Sequence, residues 1–121
     1  MLFLFIAQEQ FKPEYLINDC GVVLNTKIAY ECKVNGATYP QVSIKYAETT
    51  FGRKLFKSSV DLAIQGYRRP LSDYDLICGR TFSECLNEVI DFVSKSETAK
   101  DKKVLQQIHK DLTKTITKWK T

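Results

Sequence analysis

Residues 97–121 read ETAKDKKVLQQIHKDLTKTITKWKT, and the organisation of the remaining chain follows from this segment. A helix advances by about 100° per residue, and on that projection the apolar side chains share one arc of about 120°. Only Thr115 interrupts the arc, and the segment has no Gly or Pro to break a helix. The pattern predicts an amphipathic helix over residues 98–119, which Thr98 or Ser96 can cap. The apolar stripe consists of Val104, Leu105, Ile108, Leu112, Ile116 and Trp119.

The charge of this segment is equally one-sided. It holds seven Lys and three acidic residues, which gives a net charge of +4. The whole chain has 18 basic and 14 acidic residues, also a net charge of +4, so residues 1–96 balance at 11 of each sign. The excess positive charge therefore belongs to the predicted helix. It clusters on the side opposite the apolar stripe, at Lys103, Lys110, Lys114 and Lys120.

Three arrangements can satisfy an apolar stripe of this kind. It can pack on the protein's own core, as most amphipathic helices do, or against a second chain, with Trp119 as an interface anchor. A membrane surface also accepts amphipathic helices, but a single aromatic residue in the segment argues against a membrane partner. The stripe therefore predicts either completion of the fold or a homodimer seam. The candidate partner-binding residues are Leu105, Ile108, Leu112, Ile116 and Trp119.

Length and composition indicate a single ordinary domain over residues 1–121. A chain of 121 residues can bury a core without disulfides or metals. With 44% hydrophobic and 26% charged residues it is not a disordered sequence. The apolar start, residues 1–7, is too short for a secretory signal or a bilayer span. The sequence therefore predicts a cytoplasmic protein whose four Cys are reduced thiols.

Alternating patterns predict strands in the first part of the chain. Residues 2–7 are a short apolar run typical of a buried strand. Residues 27–34 place Ile28, Tyr30, Cys32 and Val34 on one face, and residues 42–46 alternate in the same way. Asn35-Gly36 between them predicts a hairpin turn. A strict two-residue turn would mismatch the apolar faces, so we expect an extra loop residue or a bulge near Pro40.

The following segments predict more strands and then helices. Residues 53–67 fit a strand or a helix, and the adjacent strand pattern favours a strand. Residues 74–78 read as a further strand that ends at Gly79. Thr81 and Glu84 form a capping box that predicts a helix over residues 81–95. The fold class is therefore α+β: an antiparallel β-meander of about four to five strands within residues 1–79, followed by two C-terminal helices.

No arrangement of residues in the sequence indicates catalysis. The four Cys lack the short spacing of a zinc site. Cys85 could act as a nucleophile only beside His109, the one His, and a packing role explains both residues better. Asp73 and Asp75 are expected to form surface ion pairs. There is no phosphate-binding loop and no dinucleotide turn. We therefore expect no enzyme activity, no cofactor, no metal and no small-molecule substrate.

Two binding functions remain. The first is a protein that acts through protein–protein contacts as a regulator, inhibitor or assembly factor, homodimeric through its C-terminal helix. The alternative is nucleic-acid binding, because lysines on one helix face can contact phosphates. The candidate nucleic-acid-binding residues are Lys103, Lys110 and Lys114, together with Arg53 and Lys54 upstream. The net charge of +4 is modest for this alternative.

Overall fold

The computed structural model describes residues 8–34, 36–114 and 119. It shows an α+β fold in which a four-stranded antiparallel sheet, in the order β1-β2-β3-β4, is followed by C-terminal helices, as the sequence predicts. The predicted strand over residues 2–7 lies outside the described residues. The strands are β1 Lys27–Cys32, β2 Val42–Glu48, β3 Lys54–Asp61 and β4 Gly66–Tyr67, and the helices are α1 Asp75–Cys78, α2 Phe82–Ser94 and α3 Ala99–Leu112.

The connection between β1 and β2 is longer than a tight hairpin turn. Tyr30 pairs with Ile44 and Cys32 pairs with Val42, so residues 33–41 form the connection. The side chain of Gln41 closes its base: its amide accepts a hydrogen bond from Val34 N and donates one to Val34 O, both at 2.9 Å. The amide therefore takes the place of a strand neighbour for Val34. The predicted turn at Asn35 lies outside the described residues.

The predicted mismatch of the apolar faces is removed by extra residues in the connection over residues 33–41, which contains Pro40. A separate bulge lies in β1. The register shifts between Ile28 and Tyr30, and Ala29 is the extra residue. A bulge reverses the alternation of side chains on the strand that carries it. Ile28 consequently points away from Tyr30's face, contrary to the predicted common face.

Residues 53–67 contain the strands β3 and β4, as the sequence favoured, and no helix. β3 pairs along its whole length with β2, with Ile44 opposite Ser58 and Val42 opposite Val60. The two-residue strand β4 then pairs Tyr67 with Val60 and completes the meander. Continuous pairing with β2 satisfies the backbone N–H and C=O groups of β3. The strand is therefore favoured over the helix that the sequence pattern also fits.

The predicted strand over residues 74–78 is wrong, because this segment is the short helix α1. Its first residue, Asp75, is buried and accepts hydrogen bonds from Ser72 N at 2.9 Å and from Lys57 Nζ at 2.7 Å. The bond to Ser72 turns the backbone and starts the helix. Ile77 is 83% exposed, so the apolar alternation of the segment does not reflect burial.

The capping box of α2 is confirmed. Thr81 Oγ1 accepts a hydrogen bond from Glu84 N, and Glu84 Oε1 accepts one from Thr81 N, each at 3.2 Å. Together these bonds satisfy two backbone N–H groups that the first turn leaves without partners. The buried face of α2 is Phe82, Cys85, Leu86, Val89 and Val93.

The C-terminal helix α3 begins where the sequence predicts. Thr98 caps it by accepting a hydrogen bond from Asp101 N at 3.3 Å. The described helix ends at Leu112 with Thr113 as its C-cap, and residues 115–118 of the predicted helix lie outside the described residues. The β-branched side chain of Thr113 gives it a low helix propensity. Thr113 Oγ1 donates to Lys110 O at 2.9 Å instead of pointing outward.

The sheet has a core on each face. On the inner face, α2 and α3 pack against the strands, and Val104 and Ile108 of α3 are almost completely buried there. Tyr30 of β1 donates its hydroxyl hydrogen to Asp111 Oδ2 at 2.6 Å, which ties α3 to the edge of the sheet. On the outer face, residues of the N-terminal segment and of the segment before α1 pack over β2 and β3. That second cluster consists of Phe11, Tyr15, Val23, Ala47, Leu55 and Leu71.

We expect Ile108→Ala to lower the free energy of unfolding by about 2–5 kcal/mol, because it removes fully buried methylenes and leaves a cavity between α3 and the sheet. Urea denaturation followed by circular dichroism measures this change. Lys103→Ala, on the exposed face of the same helix, is the control and should shift stability by less than about 0.5 kcal/mol. Equal effects of the two variants would contradict the packing of α3.

Candidate functional site

The predicted partner-binding stripe of α3 packs largely on the chain's own core. Ile108 is 0% exposed, and Leu105 and Leu112 are half-buried against the inner-face cluster. The ring of Trp119 lies 5.2 Å from that of Tyr46, 5.8 Å from that of Phe56 and 6.2 Å from that of Phe82, measured between centroids. Ile116 lies outside the described residues. In this structure the stripe therefore completes the fold.

The predicted nucleic-acid-binding residues separate into two groups. Lys103 and Lys110 on α3 and Lys114 just after it are exposed, and none of them forms an ion pair with any residue of the described ranges. Arg53 pairs with Glu9, and Lys54 lies 3.8 Å from Glu48 Oε1. Of the five predicted residues, the three lysines in or next to α3 are thus the ones without an ion-pair partner among the described residues.

The thiols and the single imidazole do not form a nucleophilic pair. Cys85 is buried in the inner-face cluster, and burial, with the nearby carboxylate of Glu88, raises its pKa to about 12. Burial likewise raises the pKa of the Cys32 thiol. His109 is exposed on α3. Because a thiolate is the reactive form of cysteine, Cys85 is a poor nucleophile at neutral pH.

Glu88 on α2 is the centre of a polar network that sequence reasoning missed. Its carboxylate forms ion pairs with Arg80 and with Arg69, the latter at 2.6 Å, and accepts a hydrogen bond from Ser58 Oγ at 3.0 Å. Tyr67 completes the group with its hydroxyl 2.9 Å from Ser58 Oγ. On a helical projection of the sequence, Glu88 belongs to a row of acidic residues, which is a pattern typical of a solvent-exposed face. Only the meander, which brings Ser58 and Arg69 to α2, shows that Glu88 joins helix and sheet.

Burial acts against the charge of Glu88, but the hydrogen bonds from Arg69, Arg80 and Ser58 outweigh it and lower its pKa to about 2. A carboxylate held this firmly in ionised form stabilises the native state and is badly suited to proton transfer near neutral pH. The Glu88 network is therefore a structural link between α2 and the sheet.

The outer face of the sheet carries an open groove of about 730 Å³ beside the second core cluster. Its floor is formed by outward-pointing residues of β1, β2 and β3. One wall is the β1–β2 connection at Tyr39 and Pro40, and the opposite wall is the segment after β4 at residues 68–70. The floor includes Ile28, Glu31, Ser43, Lys45, Ser59 and Asp61.

Two properties distinguish this groove from ordinary surface. Ser43 in its floor is only 8% exposed, and its hydroxyl has no hydrogen-bond partner among the residues that the structure describes. Ile28 and Tyr39 at its margin are 53% and 72% exposed. A buried hydroxyl without a partner costs free energy, and exposed large apolar side chains around it mark a surface that gains by being covered.

The groove carries charges of both signs. Arg69 in its lining is paired with Glu88, whereas the cations Lys45 and Arg68 and the anions Glu31 and Asp61 form no ion pair with another described residue. A patch with both signs attracts a partner with both signs and does not favour a polyanion. The sequence contains no local signal for this site, because the bulge at Ala29 places Ile28 in it.

The described ranges lack a metal-binding cluster and a membrane-spanning helix. They contain no group of three or more His, Cys, Asp or Glu residues placed to hold a metal ion. No helix within them is long and apolar enough to cross a lipid bilayer. No protein-family model matches the chain, and comparisons with curated proteins and with solved structures give no significant match.

We expect Glu88→Gln to be less stable than the wild type at pH 7, and the difference to shrink as the pH falls. The folded-state pKa of about 2 lies below the ordinary value of 4.5, so the ionised carboxylate stabilises the fold fully above pH 4.5. That stabilisation is lost as the pH falls from 4.5 towards 2. Urea midpoints measured across this range test the expectation.

Asp91→Asn is the control for this experiment, because it removes only an exposed ion pair with Lys95 on the same helix. It should change stability by less than about 0.5 kcal/mol at pH 7. A difference between Glu88→Gln and wild type that stays constant down to pH 2 would contradict the ion-pair network.

Proposed function

We propose that this chain is a non-enzymatic binding protein that acts through protein–protein contacts, as a regulator, inhibitor or assembly factor. The groove on the outer face of the sheet is the surface that binds the partner. The observation that carries the proposal is the exposure of two large apolar side chains, Ile28 and Tyr39, along a groove in the described part of the chain. Covering this surface removes apolar area from water.

The division of the outer face supports this choice of surface. The chain covers one half itself, with Phe11, Tyr15 and Leu71 over Ala47 and Leu55. The other half continues the same sheet surface without such a cover. An aromatic residue at the margin of a groove is a favoured anchor at protein interfaces, which fits the position of Tyr39.

The acid–base properties of the chain support a binding role over a catalytic one. The Cys85 thiol has a pKa raised to about 12, and the Glu88 carboxylate has a pKa lowered to about 2. Groups used for nucleophilic attack or proton transfer need pKa values nearer to neutral pH. The pKa shifts of Cys85 and Glu88 therefore make both groups less suited to catalysis at neutral pH.

Homodimerisation through the C-terminal helix stays a prediction. Ile108 is enclosed within its own chain, so among the described residues of α3 a dimer that keeps this fold would use the half-buried edges of the stripe, at Leu105 and Leu112. Two half-buried leucines offer less apolar area than the whole stripe, which is why we place the partner on the sheet face.

We expect Ile28→Glu to abolish retention of the partner when the tagged protein is used in a pull-down from its native host. The substitution removes the apolar side chain that the partner would cover, and it places there a charge that must be desolvated on binding. Ile77→Glu is the matched control, because Ile77 is exposed on α1 and does not line the groove. A partner retained equally by both variants would contradict the groove as the binding surface.

Nucleic-acid binding is the second candidate function, and one observation favours it. Lys100 and Lys102 join Lys103 and Lys110 of α3, and Lys114 just after it, as exposed lysines with no ion pair to any residue of the described part of the chain. With a rise of about 1.5 Å per residue, Lys103 and Lys110 lie about 10 Å apart along the helix axis. Lysines spaced in this way can neutralise phosphates along one strand.

If this candidate is right, replacing Lys103, Lys110 and Lys114 together by Ser should weaken binding to DNA or RNA. It should also lower the slope of log K against log salt by up to about 2.7, because each lost phosphate contact lowers it by about 0.9 for a duplex. Fluorescence anisotropy at several salt concentrations measures both changes. The matched control replaces Lys33, Lys45 and Arg68, which are exposed cations outside α3. Wild-type protein that binds neither nucleic acid at low salt would contradict this candidate.

A further inference from the structure

We propose that the groove is closed by a second copy of this chain, with Lys45 of each copy paired to Glu31 of the other. This inference rests on the proposed function, since it names the partner of the same surface. It places the dimer on the sheet face and leaves the C-terminal helix inside its own subunit.

The strand register places four side chains at the corners of a rectangle. Ile28 is opposite Lys45, and Glu31 is opposite Ser43, across the β1–β2 pair. All four residues line the outer-face groove, because the bulge at Ala29 returns Ile28 to that face. Paired positions on neighbouring strands are about 5 Å apart, and successive same-face positions along a strand are about 7 Å apart.

This rectangle is self-complementary. Its two diagonals join Ile28 with Ser43 and Lys45 with Glu31. A two-fold axis lying in the interface along the first diagonal brings each Lys45 over Glu31 of the other copy. The same operation places Ile28 against its own equivalent, and Ser43 beside its own equivalent. An isologous interface requires this kind of self-matching, because one surface patch must serve both sides.

The unsatisfied groups on this surface are the ones that the two-fold arrangement satisfies. Lys45 and Glu31 have no ion-pair partner among the described residues, and they have opposite signs. Ile28 is an exposed apolar side chain on the edge strand β1. A second copy provides an apolar contact for Ile28 and a counter-charge for Lys45 and for Glu31.

The shape of the groove also suits a second copy. β1 is the edge strand of the sheet, and the walls at Tyr39 and at residues 68–70 line the groove together with it. Rotation about the diagonal brings the β1 edge of one copy, with Ile28 and Glu31, over the β2 floor of the other. Each copy thereby fills the groove of its partner. A polyanion would meet Glu31 and Asp61 there, and a polycation would meet Lys45 and Arg68.

The test uses the full chain and reversal of the two charges. Wild-type protein should be a dimer by analytical ultracentrifugation. Lys45→Glu should weaken the dimer about tenfold or more, and so should Glu31→Lys, because each variant faces like charges across the axis. The double variant with both changes should regain the dimer. An equimolar mixture of the two single variants should form a heterodimer, because one copy then carries two anions and the other two cations.

Circular dichroism of every variant confirms the fold, and Lys102→Glu on the exposed face of α3 is the charge-reversal control that should leave the dimer intact. A wild-type chain that is monomeric at millimolar concentration overturns the inference. A dimer that survives both single reversals also overturns it, because the contact then lies elsewhere. The proposed function is judged separately: loss of a different partner by Ile28→Glu in the pull-down, with a monomeric wild type, would keep the groove as a binding surface and reject the second copy.

Discussion

Val104 and Ile108 of α3 bury themselves between α2 and the sheet, and the rest of the molecule depends on this contact. They cover the inner face of the sheet at β1 and pack against α2, which covers β2 and β3. Burial of two such side chains contributes on the order of 3–6 kcal/mol, a large share of the stability of a domain this size. Because the apolar stripe of α3 is buried here, the uncovered surface for a partner lies on the opposite face of the sheet.

Local signals explain which parts of the fold could be predicted from the sequence. The capping box at Thr81 and Glu84 and the cap at Thr98 are made by residues within one helical turn, so they are visible in the sequence and are present in the structure. The strands β1 and β2 follow from alternation in the same way, whereas the pattern of residues 53–67 fits both a strand and a helix. The helix α1 was missed because Asp75 is held by Lys57, which is distant in sequence.

Most of the candidate site could not be predicted for the same physical reason. Ile28 belongs to the groove only because the register of β1 against β2 inserts Ala29 as an extra residue, and register depends on both strands. The role of Glu88 depends on Arg69, which reaches it only after β3 and β4 have folded back. The exposed lysines of α3 are the part that helical periodicity alone places correctly.

The amide of Gln41 has a wider consequence for the loop that follows β1. It forms hydrogen bonds with both backbone groups of Val34 at the start of the connection over residues 33–41. The pairing of β1 with β2 is therefore held independently of the residues at the tip of this connection. The loop can therefore change in length during evolution without a change in the register of β1 and β2. Because Tyr39 lies on that loop and forms a wall of the groove, related chains could acquire new binding preferences there at little cost to the scaffold.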